Sequence, residues 1–248
     1  MQLGPIGFGA FKIGRNEKIK YPRPYDLPSD QEVDRLLDGL VELGIEHFDT
    51  APAYGISEQR LGNWLGRRDV PVVISTKVGE LFEDGDSRYA FDEASVRASV
   101  ASSLRLLRRD VLDMVLIHTP HDDVTVLRET PVVETLQSLQ EAGDIRAIGL
   151  SGKTPEAATM ALEWADLLMV EFNADDPSHA AVIEQAARRE IGVLVKKGLA
   201  SGHLPADQAI PFVLNQSGVN SLVVGGLNLA HMADNLRIAE AALSQASH

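Results

Sequence analysis

The chain has 248 residues and no cysteine, and 23 Lys+Arg against 36 Asp+Glu give it a formal charge of −13. Without a thiol it forms no disulfide, cysteine nucleophile, Fe–S cluster or Cys-ligated zinc. Its acidity disfavours a nucleic-acid partner, whose phosphates demand a surplus of cations on the binding face. No run approaches the roughly 18 apolar residues of a spanning helix, and Met1–Pro5 has neither a basic nor an apolar leader character. The expectation is a cytoplasmic protein without a membrane partner.

The first apolar run, Ile6–Phe11, reads as a strand, and a long connection over Gly14–Pro28 follows, carrying Tyr21, Pro22, Pro24, Tyr25 and Pro28. Ser29-Asp30-Gln31-Glu32 is a capping box that opens a helix over Val33–Leu43, closed by Gly44. A strand at Ile45–Thr50, a helix at Ser57–Arg67 and a strand at Val70–Val78 come next. A second long connection, Gly79–Phe91, carries Phe82, Asp84, Asp86, Arg88 and Tyr89. Asp92 caps a helix running to Leu107, ahead of a strand at Val111–Thr119 and a helix from about Val126 to Ala142. Strand Ile145–Ser151 leads to Thr154-Pro155, an N-cap with proline at the first helical position. Strand Leu167–Phe172, helix Ser178–Arg189, strand Ile191–Val195, helix Ala206–Asn215, strand Ser221–Val224 and helix Leu229–Leu243 complete the chain.

Eight near-continuous apolar runs alternating with amphipathic helices are the pattern of a parallel sheet covered by helices. In about 250 residues that is the arithmetic of a (β/α)8 TIM barrel, one α/β domain over residues 1–248 with no linker or composition shift. Both long connections follow C-terminal strand ends, where barrel active sites are built, and they read either as surface loops or as the walls of a pocket.

Three motifs compete with this reading. Gly7-Phe8-Gly9-Ala10-Phe11-Lys12 begins like a dinucleotide fingerprint, but Lys12 stands at the third glycine and prolines follow in place of a helix. Ala147–Thr154 ends in Gly152-Lys153-Thr154 like a phosphate-binding loop, yet its opening glycine is Ala147 and it follows the fifth strand. His118-Thr119-Pro120-His121-Asp122-Asp123 gathers metal-ligand types, but without helical spacing it is not read as a metal site. The other histidines, His47, His179, His203, His231 and His248, show no clustering, and Trp64 and Trp164 read as packing.

Polar residues recur where the apolar strands end: Asp49, Lys77, His118, Ser151, Asn173 and Lys196-Lys197. Such a group costs several kcal/mol if buried unpaired, and a barrel brings these ends to one face. Tyr54 follows Asp49 by five residues. Its phenol has a reference pKa of about 10, which a neighbouring ammonium lowers by stabilising the phenolate. An aspartate would hold the ammonium, and His118 could donate to a carbonyl oxygen. No side chain delivers hydride, so redox chemistry here requires a bound cofactor.

At these residues the chain resembles the aldo-keto reductase superfamily. The resemblance rests on Phe48-Asp49-Thr50-Ala51…Tyr54-Gly55, Glu58-Gln59-Arg60-Leu61-Gly62, Ser75-Thr76-Lys77, Leu116-Ile117-His118, Ala142–Ser151 and Val224-Gly225-Gly226…Asn235-Leu236, in order over nearly the whole chain. It implies a catalytic set of Asp49, Tyr54, Lys77 and His118, with Tyr54 as general acid in reduction and general base in oxidation. It implies a nicotinamide across the mouth with its carboxamide near Ser151, and a pyrophosphate along Gly198-Leu199-Ala200-Ser201-Gly202. The adenosine end would meet Gly225, Gly226 and Asn235. This sequence departs from the family where Gly152 replaces an Asn, Met169 a Gln, Lys196 an aromatic, and His231 the Arg that meets a 2′-phosphate. Lys196 or Lys197 could bind phosphate instead.

NADP(H) is therefore the family expectation, with NAD(H) as the alternative. The substrate implied is a small-molecule aldehyde, ketone or sugar carbonyl, taken in an open, shallow pocket by a monomer or weak homo-oligomer. A nicotinamide-binding regulatory barrel with negligible turnover, and a non-redox isomerase or lyase on the same barrel, are the alternatives.

Overall fold

A computed structural model describes residues 3–19 and 24–246, so Tyr21, Pro22 and His248 lie outside the described residues. Eight parallel strands close on themselves: β1 (Ile6–Gly9), β2 (His47–Asp49), β3 (Val73–Val78), β6 (Leu112–His118), β7 (Ile145–Ser151), β8 (Leu167–Glu171), β9 (Gly192–Lys196) and β10 (Ser221–Val224). β10 pairs with β1, through Ile6 with Leu222 and Phe8 with Val224, and that pairing closes the cylinder. The TIM-barrel expectation holds.

Helices α1 (Asp30–Glu42), α2 (Ser57–Leu65), α3 (Glu93–Leu107), α4 (Asp123–Glu129), α5 (Val132–Glu141), α6 (Pro155–Ala161), α7 (Ala180–Arg188), α8 (Ala206–Leu214) and α9 (Leu229–Ala246) surround it. Ser29 and Glu32 form the reciprocal capping box that starts α1, and Asp92 and Thr154 cap α3 and α6.

Two elements differ from the sequence reading. The single helix expected over 126–142 is two, α4 and α5, parted at Thr130-Pro131. Proline supplies no N–H and restricts the residue before it to extended backbone, and Thr130 sits at φ −123°, ψ 153°. The connection expected over 79–91 is a hairpin, β4 (Glu80–Glu83) against β5 (Asp86–Tyr89), with Glu80 opposite Tyr89. Asp84 and Gly85 both have positive φ, 53° and 79°, as a tight primed turn requires.

Strand side chains alternate between two environments. Outward residues such as Val115, Ile117, Leu168 and Val170 join the core beneath the helices. Inward residues Met114, Leu116, Leu167, Met169 and Leu194 form a separate apolar plug inside the barrel. Following the same parity, His47 and Asp49, Ser75 and Lys77, His118, Ser151, Glu171 and Lys196 face inward above or beside that plug. The alternation that fills the barrel also aims its polar strand ends at one mouth.

Candidate active site

The deepest charge at the mouth is the ammonium of Lys77, 1% exposed. Its Nζ donates to both carboxylate oxygens of Asp49 at 2.8 Å and to the Thr50 carbonyl at 2.7 Å. Burial lowers its pKa, while Asp49, Glu58 and Glu80 oppose the shift by attracting the charged form. The carboxylate is braced from below. Ser75 Oγ donates to Asp49 Oδ1 at 2.7 Å, and His47 Nε2 lies 2.9 Å from the same Ser75 oxygen. Since the hydroxyl proton is given to Asp49, His47 is the donor, with its proton on Nε2. Burial holds the pKa of His47 down to about 4, so this ring is neutral.

Tyr54 ends a 3₁₀ turn, Pro52–Tyr54, that follows β2. Lys77 Nζ lies 4.7 Å from the centre of its ring, Phe11 meets the ring edge-on at 5.1 Å, and the His118 ring stands perpendicular at 6.2 Å. Two glycines permit this placement. A Cβ on Gly14 would come within 2.1 Å of the Tyr54 carbonyl oxygen, and Gly55, at φ +61°, would carry one 2.3 Å from the Gly14 oxygen. Glu58, on α2, accepts from Thr76 Oγ1 at 2.6 Å and Ser103 Oγ at 2.7 Å. Burial raises its pKa, and it ties α2 to β3 and α3 beside Lys77.

His118 ends β6, level with Ser151 on β7. Its Nδ1 lies 2.9 Å from Oε2 of Glu80 on the hairpin. Sequence reading missed Glu80; its signal is Gly79, whose φ of +105° turns the chain straight after β3. The hairpin packs against the Tyr54 turn. From the other long connection, Arg15 donates to the Ala53 carbonyl at 3.0 Å and stacks its guanidinium 3.3 Å from the centre of the Phe82 ring. The two long connections thus meet over Tyr54, as pocket walls would.

On the opposite side of the mouth, Lys196 Nζ donates to Ser151 Oγ and to the Gly152 carbonyl, each at 2.9 Å. Burial lowers its pKa well below the usual lysine value. Lys153, Lys197 and Lys77 push the same way, and Glu171 opposes them. Lys197 is held by Glu171, and Met169 lies in the apolar plug. Asn173 binds the Asp175 and Asp176 amides at 3.0 Å and donates to the Lys197 carbonyl, so it organises the turn after β8.

The loop resembling a phosphate cradle already holds an anion. The Lys153 and Thr154 amides donate to buried Asp123 at 2.7 and 2.9 Å, and the Thr154 hydroxyl donates to its other oxygen at 2.8 Å. His121 is exposed while His118 faces inward, and no three His, Asp or Glu gather as a metal site among the described residues.

The remaining expected positions follow the last two strands. The segment after β9 takes positive φ at Lys197, Ala200, Ser201 and Gly202. At Gly198 a Cβ would lie 2.6 Å from Leu222 Cδ1, while Leu199 packs on the core. Gly225 and Gly226 are half-buried after β10; on α9, Asn235 is buried and His231 exposed. Hydroxyl and ammonium donors beside a turn-rich segment are chemistry that suits an amide-bearing, phosphate-bearing cofactor.

A closed parallel barrel with a phenol, a paired ammonium and an imidazole at its C-terminal mouth places the chain among TIM-barrel proteins that do their chemistry there. The sequence model of the Aldo/keto reductase family matches residues 5–208, and the chain belongs to that family. It is similar to D-threo-aldose 1-dehydrogenase of a Pseudomonas species, 24% identical over 96% of this chain and 90% of that one. Pyridoxine 4-dehydrogenase of Escherichia coli (strain K12) is 26% identical over 97% and 91%. Among solved structures, a Pseudomonas aeruginosa protein described as an aldo-keto reductase is 40% identical, with a TM-score of 0.90 over 97% of this chain and 91% of that one. The family is one of oxidoreductases that use nicotinamide cofactors. No helix among the described residues is long and apolar enough to cross a membrane.

Proposed function

We propose that this chain interconverts an aldehyde, ketone or sugar carbonyl with its alcohol. A nicotinamide, NADP(H) first and NAD(H) as the alternative, supplies or accepts the hydride when bound. The observation that carries this reading is the buried Lys77 ammonium, locked by Asp49 and set 4.7 Å from the centre of the Tyr54 ring.

In reduction, the Tyr54 hydroxyl gives its proton to the carbonyl oxygen, and the ammonium balances the charge left on the phenol. Asp49 keeps that ammonium charged and fixed, and His118 orients the same oxygen. Phe11 and the hairpin restrict water around it. Ser151 and Lys196 would hold the carboxamide end, the segment 197–202 the phosphates, and Gly225, Gly226 and Asn235 the adenosine. The names of the aldose and pyridoxine dehydrogenases support a small polar alcohol or carbonyl as substrate.

The test is Tyr54→Phe in a panel of aldehydes, ketones and sugars. Loss of a general acid lowers turnover by about 10² or more, with cofactor affinity unchanged in a fluorescence titration against NADPH and NADH. Undiminished turnover would reject the role of Tyr54. Tight cofactor binding without turnover on any substrate would favour a regulatory barrel.

A further inference from the structure

The Lys77–Asp49 pair rests on two further polar side chains that the reaction outlined above leaves without a task. β2 and β3 run side by side, with His47 level with Val73 and Asp49 level with Ser75. Inward side chains recur at every second residue, so His47 and Asp49 on β2 interleave with Ser75 and Lys77 on β3. The result is a ladder of hydrogen bonds that crosses between the strands at each step. His47 Nε2 donates to Ser75 Oγ at 2.9 Å, and Ser75 Oγ donates to Asp49 Oδ1 at 2.7 Å. Asp49 receives Lys77 Nζ on both oxygens at 2.8 Å. All four residues are at most 3% exposed.

The lower end of the ladder is built against stability. His47 Nδ1 has no partner among the described residues, and a buried lone pair left unpaired is unfavourable. The ring also needs room from the neighbouring strand. Phe8 pairs with Phe48, so Gly7 stands level with His47 on β1, and a Cβ there would come within 2.5 Å of Nδ1. An apolar side chain at 47 would leave no lone pair unpaired. What the histidine adds is the N–H at Ser75.

The upper end of the ladder acts on the phenol. Lys77 stabilises a phenolate at Tyr54, and Asp49, bound to the same ammonium, offsets part of that effect. A carboxylate that accepts a hydrogen bond from elsewhere has its charge drawn toward that donor and away from the ammonium. A hydroxyl that itself accepts an N–H donates more strongly, because successive hydrogen bonds polarise one another. We propose that His47 and Ser75 are positioning residues that act through Asp49: they fix the carboxylate and draw its charge toward Ser75, which leaves more of the positive field of Lys77 at the Tyr54 hydroxyl. This rests on the redox reading above, in which Tyr54 carries the proton.

The charges around the ladder agree with this role. Burial brings the pKa of His47 down to about 4, against the pull of Asp49 and Asp113 and with Lys77 pushing further down. At neutral pH the ladder is therefore a chain of dipoles ending on the carboxylate, with no second cation beside it. Lys77 lies against the Tyr54 ring, the His118 ring faces it, and Arg15 is within electrostatic reach. Glu58 and Glu80, like Asp49, act on Lys77. None of these charged groups is altered by the variants that test the ladder.

The test reads the ionisation of Tyr54 itself. In the full chain labelled with 13Cζ-tyrosine, the Tyr54 signal among the four tyrosines is identified by its loss in Tyr54→Phe and followed against pH. Ser75→Ala should raise the pH at which the phenol ionises by about half a unit, a threefold change in proton affinity and a modest share of the roughly 1–3 units an adjacent charge contributes. His47→Leu should move it the same way by less, and His47→Gln, which keeps an N–H near the Nε2 position, should restore the parent value. Gly7→Ala, which displaces the ring and removes no hydrogen-bonding group, should act like His47→Leu. The His47 pair reads the same link if Ser75→Ala does not fold. The limb of alcohol oxidation that follows the phenolate should move to higher pH by the same amount, since a merely structural brace would lower stability without moving it. An unchanged phenol in Ser75→Ala, or in His47→Leu, overturns the proposal even where turnover depends on Tyr54. A shifted phenol in a chain that turns over no alcohol or carbonyl upholds the link through Asp49 and overturns the redox reading.

Discussion

The mouth of the barrel holds two lysines, one buried and one half-buried, in opposite electrostatic situations. Lys77 has a carboxylate on two of its protons and a carbonyl on the third. Lys196 is bound by a hydroxyl and a carbonyl, both neutral, and stands among Lys153, Lys197 and Lys77. Both sit at inward C-terminal positions of barrel strands, so secondary structure does not distinguish them. The partner does. Asp49 favours the charged form of one ammonium beside the phenol, while burial and the neighbouring lysines lower the pKa of the other amine with no carboxylate bonded to it. One side of the mouth is therefore built as a fixed ion pair braced by Ser75 and His47, and the other as an amine bound only to neutral oxygens.

Breaking the ion pair should have the largest effect. Asp49→Asn leaves Lys77 buried with no counterion beside it, and unfolding by denaturant should show a loss of about 3–5 kcal/mol. A loss below about 1 kcal/mol would mean that Thr50 and solvent hold the ammonium unaided.

The brace beneath the pair should make the protein acid-sensitive. The pKa of His47 falls from 6.5 to about 4 on folding, so between these values the unfolded chain binds more protons. Its contribution, on the order of 3 kcal/mol, is present above pH 6.5 and lost as pH falls toward 4. His118 shifts in the same direction. His47→Gln should flatten the stability–pH profile between pH 6.5 and 4; an unchanged profile would show that His47 does not carry it.

The smallest effect is expected at the other lysine. Lys196→Met removes a half-buried amine with no carboxylate bonded to it, so denaturation should find stability within about 1 kcal/mol of the parent, or above it. Because folding depresses the Lys196 pKa, the parent gains relative stability as pH rises toward 10.5, and any advantage of the variant should shrink over that range. A loss as large as that of Asp49→Asn would erase the contrast between the two sides.

The legible parts of the molecule were those where one local rule decided the outcome. Apolar runs bounded by turn residues located the eight barrel strands, because a buried parallel strand must be apolar on both faces. Asp49, Lys77 and His118 stood out because each interrupts such a run at its C-terminal end. The hairpin over Glu80–Tyr89 was not recognised, since its second strand, Asp86–Tyr89, is exposed and carries no buried alternation; Asp84-Gly85 was its visible turn signal. The break at Pro131 was hidden by an amphipathic pattern that continues across it.

The sequence alone determined the barrel and the identity of the polar strand ends, because hydrophobic periodicity and turn chemistry act over a few residues. Only the tertiary structure decided the pairings. Glu80 meets His118, Asp123 fills the turn at Lys153-Thr154, and Lys196 binds Ser151 rather than a carboxylate. Those contacts depend on strand register and barrel closure, which bring residues 30 to 45 positions apart to within 3 Å and leave no trace in the spacing of either partner.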